Sequence, residues 1–107
     1  MATDPFTALA NPTRRRILNE LREQPRPAGE LAALFELSRP SVSEHLAVLR
    51  DAALVGEQRS GRQRIYRLTA QPLAQVDAWL HPFERYWRDR LTDLAIFLDD
   101  QQKGTRP

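Results

Sequence analysis

The chain has no cysteine, which excludes disulfides, cysteine-ligated zinc and thiolate chemistry. It has no apolar run of membrane-spanning length, so no transmembrane helix is read. Glycine is scarce, and none of the four falls in a phosphate-cradling pattern, so a dinucleotide or nucleotide-triphosphate loop is missing. Ser41 and His45 stand at i and i+4, but no carboxylate is spaced to orient the imidazole and no anion loop accompanies them; an enzyme is not expected, and no cofactor is called for. Residues Met1 to Ala10 lack a basic segment followed by an apolar stretch, so no secretory signal is read and a cytoplasmic location is expected.

What is present is a 107-residue sequence, 41% hydrophobic and 28% charged, expected to form a single domain over residues 1–107. That length sits near the size at which a partner subunit helps bury apolar surface. The net charge is only +2, yet the charges are segregated. Gln58 to Arg67 holds Arg59, Arg62, Arg64 and Arg67 with no acid, whereas Asp77 to Asp100 holds six acids against three arginines. One region suits a polyanion and the other repels it.

The stretch from Ser38 to Ala52 organises the rest. Ser38 suits an N-cap and Pro40 the first helical turn. Val42, Leu46 and Leu49 then share one stripe, with Val48 beside it, which predicts a core-facing side and leaves Ser41, Ser43, Glu44 and His45 on the other. Those short polar groups are able to approach DNA base edges. An earlier helix is expected from Asn11-Pro12, with Ile17, Leu18 and Leu21 as its apolar stripe and Arg14, Arg15 and Arg16 on a solvated face. Gln24-Pro25-Arg26-Pro27 forces an extended connection, and Ala28 to Glu36 reads as a short helix burying Leu31, Leu34 and Phe35. With only Leu37-Ser38 between it and the next helix, residues 28–52 make a helix-turn-helix. Residues 54–68 then read as a β-hairpin turning at Gly61. A hairpin in that place is a wing, with Arg59 and Arg62 around its tip and Arg64 on the helix-facing side, able to reach phosphates or a narrow minor groove. The fold class is therefore mainly α with a two-stranded β-wing.

The last helix is predicted over residues 71–100, with Leu73, Val76, Leu80, Phe83, Trp87, Leu91, Leu94 and Leu98 along one seam and Trp79, Tyr86 and Phe97 widening it. A helix of about 28 residues spans about 42 Å, too long to hide these side chains against so small a body, so pairing with a second copy is expected. Burying four such residues is worth about 6–12 kcal/mol gross. Pro82 predicts a kink near Ala78 to His81 or two helices end to end, and residues 103–107 are expected to fray. Trp79, Phe83, Tyr86 and Trp87 could line a small-molecule pocket, but packing accounts for them more simply, so a small-molecule effector has no support.

The phrases NPTRRRILNEL, ELAALFELSRPSVSEHLAVLRDAALV and RSGRQRIYRL, in this order, resemble the ArsR-type (ArsR/SmtB) family of bacterial winged-helix repressors over nearly the whole chain. The resemblance implies a homodimer built through the first and last helices (Phe6, Leu9, Leu80, Phe83, Trp87, Leu91, Leu94 and Leu98), with two recognition helices about one DNA turn apart on a palindromic operator. It also implies that Arg39, Ser41, Ser43 and His45 face bases or nearby phosphates and that Arg59, Arg62 and Arg64 touch the backbone. Many members sense metals. Here Glu30 to Phe35 carries no cysteine, and Asp77, His81 and Glu84 share a face without matching the family's ligand spacing, so no metal site is expected and a metal-free repressor, regulating its own operon, fits better. The competing reading is a winged-helix module for protein contact with only nonspecific DNA affinity.

Overall fold

The structure is a computed structural model and describes residues 3–104, with side chains to residue 102. Eight elements follow in order: α1 (Pro5–Leu9), α2 (Pro12–Glu23), β1 (Arg26–Pro27), α3 (Ala28–Phe35), α4 (Arg39–Asp51), β2 (Val55–Ser60), β3 (Gln63–Leu68) and α5 (Gln71–Gly104). Contacts divide the chain into two units at Val76 and Asp77, the first holding every element up to the start of α5 and the second the remainder of that helix.

Three of the helices, α1, α2 and α4, start on a side-chain cap, whereas α3 follows Pro27 without one. Asp4 accepts from the Thr7 N–H at 2.9 Å, Asn11 from the Arg14 N–H at 3.1 Å, and the Ser38 hydroxyl from the Ser41 N–H at 3.2 Å. In all three a proline follows where its missing N–H costs nothing. The ends of α3 and α4 are alike. Glu36 (φ 54°) and Ala53 (φ 59°) adopt the left-handed conformation, the Leu37 N–H reaches back to Ala32 O at 3.0 Å, and the Leu54 N–H to Leu49 O at 2.9 Å. Both are six-to-one closures of the Schellman type, and they turn the chain sharply with the apolar residue after the turn directed inward. The core gathers Ile17 and Leu21 of α2, Leu31 of α3, Val42, Leu46 and Leu49 of α4, and Leu54 and Val55 leading into β2, all fully or nearly fully buried. Leu34 is not among them: it is 48% exposed, because Leu31 and Ala32 turn inward and Phe35 only borders the core.

One expectation is extended and another corrected. The two-stranded wing of β2 and β3 is present but does not stand alone: Arg26–Pro27 adds a third strand beside β3, in the order β1-β3-β2, with Arg26 opposite Tyr66. Two prolines make this segment extended, and the edge position tolerates the N–H that Pro27 lacks. The Arg26 side chain, 12% exposed, then ties α2 to α3 through Glu20 at 3.2 Å and through Glu30. Nor does Pro82 divide the last helix, since α5 runs through it as one element and continues to Gly104. One lost hydrogen bond within 34 residues does not interrupt a cooperative helix. Of the residues expected to fray, 103 and 104 are helical, and 105–107 lie outside the described residues. No helix among the described residues is long and apolar enough to cross a membrane.

Thr3 anchors the start of the chain to the end of α4, its N–H and hydroxyl donating to Asp51 Oδ2 at 2.7 and 2.8 Å. The hydroxyl and then the amide of Thr3 hold the Asp51 carboxyl below the ordinary 3.8 of an aspartate. A depressed carboxylate contributes stability above its unfolded pKa and loses it as pH falls through the folded value. An NMR titration is expected to place the Asp51 midpoint below 3.8, and Thr3→Val to raise it towards that figure; identical midpoints in the two proteins would contradict the anchor. The two left-handed positions carry a second expectation. An L-residue there costs about 1–2 kcal/mol, against about 0.5–1 kcal/mol of extra chain entropy for glycine. Glu36→Gly and Ala53→Gly should therefore each raise the urea midpoint, by about 0.5–1 kcal/mol of stability, and a lowered midpoint would refute the assignment.

Candidate nucleic-acid interface

The buried stripe of α4 fixes which of its residues face outward. Ser43 and Glu44 are exposed, whereas Ser41 and His45 are half-buried, with His45 on the flank towards α2. The four polar residues therefore do not form one surface: Ser43 borders the wing, and His45 Nδ1 lies 3.5 Å from Arg14 Nη1. Arg39, at the first turn, lays its guanidinium over Gly29 of α3, where a Cβ would stand 3.7 Å from Arg39 Cζ.

The wing closes the other side. Ser60 pairs with Gln63 across the two-residue turn Gly61-Arg62, and only Gly61 (φ 62°) takes a positive φ, as a type II′ turn requires. Arg62 therefore occupies the tip. Arg59 does not: it stands one residue back, directly opposite Arg64. Strand alternation puts Arg59, Arg64, Glu57 and Tyr66 on one face, and Tyr66 is buried. Glu57 lies just outside the acid-free stretch, yet across the strands it takes Arg64 at 3.5 Å and, from α4, Arg50 at 2.7 Å. Arg64 is thus partly neutralised. Burial, and then the Glu57 carboxylate, push the Tyr66 phenol above 10.0, so it stays protonated beside that acid.

Between wing, α3 and α4 lies an open cleft of about 650 Å³, bordered by Gly29, Arg39, Ser43, Arg62, Arg64 and Tyr66. The cleft brings three of the expected arginines together with the exposed serine of α4. Its one carboxylate, Glu30, is engaged by Arg26. Such a surface offers cations to a phosphodiester and short polar groups to base edges.

Arg15 and Arg16 are exposed, as expected of a solvated face, whereas Arg14 is half-buried, and each of the three is held by a neighbouring element. Arg14 Nε donates to Ala8 O at 2.7 Å and its Nη2 to Thr7 O at 3.2 Å, Arg15 Nη1 donates to Leu9 O at 2.8 Å, and Arg16 stacks on Phe35 at 4.7 Å. Arg14 and Arg15 thus supply donors to the carbonyls at the end of this five-residue helix, of which Thr7 O also takes the Ala10 N–H. Arg14 and Arg50 were missed as site residues because their partners are remote in sequence or on another element.

The residues expected at a subunit interface are mostly uncovered. Phe6 on α1 and Leu80, Phe83, Leu91, Leu94 and Leu98 on α5 are exposed, while Leu9 and Trp87 are half-buried. Trp79 stacks on Phe83, with ring centroids 5.0 Å apart, and no described side chain from Asp77 onward is buried. Asp77, His81 and Glu84 do not gather into a ligand set; Glu84 is taken by Arg88 at 2.8 Å and meets His81 at 3.5 Å.

The family model for bacterial regulatory proteins of the arsR family matches residues 11–56. The HTH-type transcriptional regulator Rv2034 of Mycobacterium tuberculosis is 40% identical, the alignment covering 94% of this chain and 91% of that protein. The transcriptional repressor SdpR of Bacillus subtilis is 36% identical over 73% of this chain and 87% of its own length. Among solved structures, that of the ArsR family transcriptional regulator RHA00566 superposes with a TM-score of 0.69 at 35% identity, covering 78% of this chain and 91% of the other. The capped recognition helix, the arginine-tipped wing and these likenesses converge: the chain belongs to the ArsR family, as a DNA-binding transcriptional regulator with a winged helix-turn-helix and not as an enzyme.

Proposed function

We propose that residues 1–107 act as one domain, in the cytoplasm, as a homodimeric repressor that occupies a palindromic operator and excludes polymerase, its own promoter being a natural target. The observation that carries this reading is the cleft in which Arg39, Arg62 and Arg64 meet Ser43 of α4. In it, α4 lies in the major groove, with Ser43 and Glu44 at base edges and Ser41 and His45 reaching bases or nearby phosphates from the flank. Arg62 leads the wing to the backbone or an adjacent minor groove, and Arg39, Arg59 and Arg64 contact phosphates. Pairing of two copies covers the apolar residues of α1 and α5: Phe6, Leu9, Leu80, Phe83, Trp87, Leu91, Leu94 and Leu98. Closed two-fold symmetry then presents the cleft twice to DNA.

A salt titration on the genomic duplex that the protein retains separates these roles. Arg62→Ala should weaken every duplex about equally and reduce the salt slope by about 1, the share of one phosphate contact. Ser43→Ala should leave that slope intact and blur the preference at particular base pairs, within the range of about 1–3 kcal/mol for one contact. An unchanged slope in the first variant, or uniform weakening in the second, would overturn the assignments.

A further inference from the structure

We propose that Arg14 is a positioning residue which decides which nitrogen of His45 carries the proton, so that the recognition helix offers DNA a donor at His45 Nε2. The inference rests on the reading of α4 as the helix that meets DNA. A guanidinium has five N–H donors and no acceptor. Two of its nitrogens are already committed, Nε to Ala8 O at 2.7 Å and Nη2 to Thr7 O at 3.2 Å, so α1 fixes the plane and position of the group. The third, Nη1, then stands 3.5 Å from His45 Nδ1. With a donor-only neighbour at that distance, the favourable arrangement puts a lone pair on Nδ1, and in a neutral imidazole the proton then resides on Nε2. Turning the ring over would put a C–H where Nδ1 now accepts, and the contact would be lost. Nε2 has no hydrogen-bond partner among the described residues and remains available to a ligand.

A single donor selects among base edges. In the major groove, Nε2–H suits guanine N7 or O6, adenine N7 and thymine O4, and it is mismatched with the amino groups of cytosine and adenine. The short first helix, which otherwise makes no direct claim on sequence reading, thereby controls it. Its carbonyls hold Arg14, and Arg14 holds the tautomer.

The test combines a spectrum with a binding cycle. In the free protein at about pH 8, a two-bond proton–nitrogen NMR spectrum should show His45 with bare Nδ1 and protonated Nε2. The His45→Gln variant assigns the signal, His81 being the only other histidine. Arg14→Met should bring up the Nδ1–H form, and Arg14→Lys, which keeps a donor-only cation, should suppress it again. On duplexes carrying single base-pair changes, Arg14→Met should cost about tenfold in discrimination at one base pair per half-site, a loss within the reach of one base contact. The same substitution made in His45→Gln should cost nothing further. A proton on Nδ1 in the wild-type protein, or equal tautomer populations with and without Arg14, overturns the proposal; if Arg14→Met does not fold, the wild-type spectrum decides alone. Base preference with an unaltered tautomer refutes the role of Arg14 while leaving the DNA reading intact. No base preference in the wild-type protein refutes that reading, and with it the reading role of His45, whatever the spectrum shows.

Discussion

Everything that faces outward on α4 is determined by what it buries. Val42, Leu46 and Leu49 are fully or almost fully enclosed, against Leu31 of α3, Ile17 of α2 and Leu54 after the turn. Burial of each such side chain is worth about 1.5–3 kcal/mol, enough that rotation of the helix about its axis is not an option. Ser43 and Glu44 are consequently held in water, and Ser41 and His45 are held on the flank. The tight closures at Glu36 and Ala53 act in the same sense, since they set where α4 enters and leaves. A rigid helix presenting a small number of polar groups is what direct reading of base edges needs.

The wing is attached to that helix by charge as well as by the sheet. Glu57 joins Arg50 of α4 to Arg64 of β3, and Tyr66, protonated and buried beside it, fills the space beneath. This arrangement divides the arginines into two kinds. Arg64 and Arg50 share a carboxylate, whereas Arg62 at the tip has no ion-pair partner among the described residues. The latter is the freer to exchange water and counterions for phosphate, and α4 and wing form one continuous surface because the shared acid braces them together.

Local features of the chain were readable because their causes are local. Ser38 before Pro40, apolar residues at 42, 46 and 49, and Gly61 between two β-prone runs each act within a turn or two, and the structure repeats them almost residue for residue. What lay beyond reach depends on contacts across long separations. Nothing about Arg14 in isolation points to the carbonyls of α1 or to His45, 31 residues away. The cross-strand position of Glu57 is invisible in a window that starts at Gln58. The strand at Arg26–Pro27 exists only because β3 lies beside it, and Leu34 loses its place in the core to Leu31 and Ala32. The division into two helices at Pro82 failed for a different reason, since the local penalty of a proline is real but small beside the cooperativity of a 34-residue helix. The likeness of the phrases around α2, α4 and the wing to ArsR-type repressors carried the functional class; the geometry then showed that the polar residues of α4 divide between two flanks.

The central claim is that two copies of the α4–wing surface act together on one DNA site. Its most direct measurement is sedimentation of the protein with its retained duplex, paired with hydroxyl-radical footprinting of the same complex. The account predicts two chains per duplex and two protected patches on one DNA face, separated by about one helical turn of 10–10.5 base pairs. One chain per duplex, or a uniform protection that ignores sequence, would contradict it.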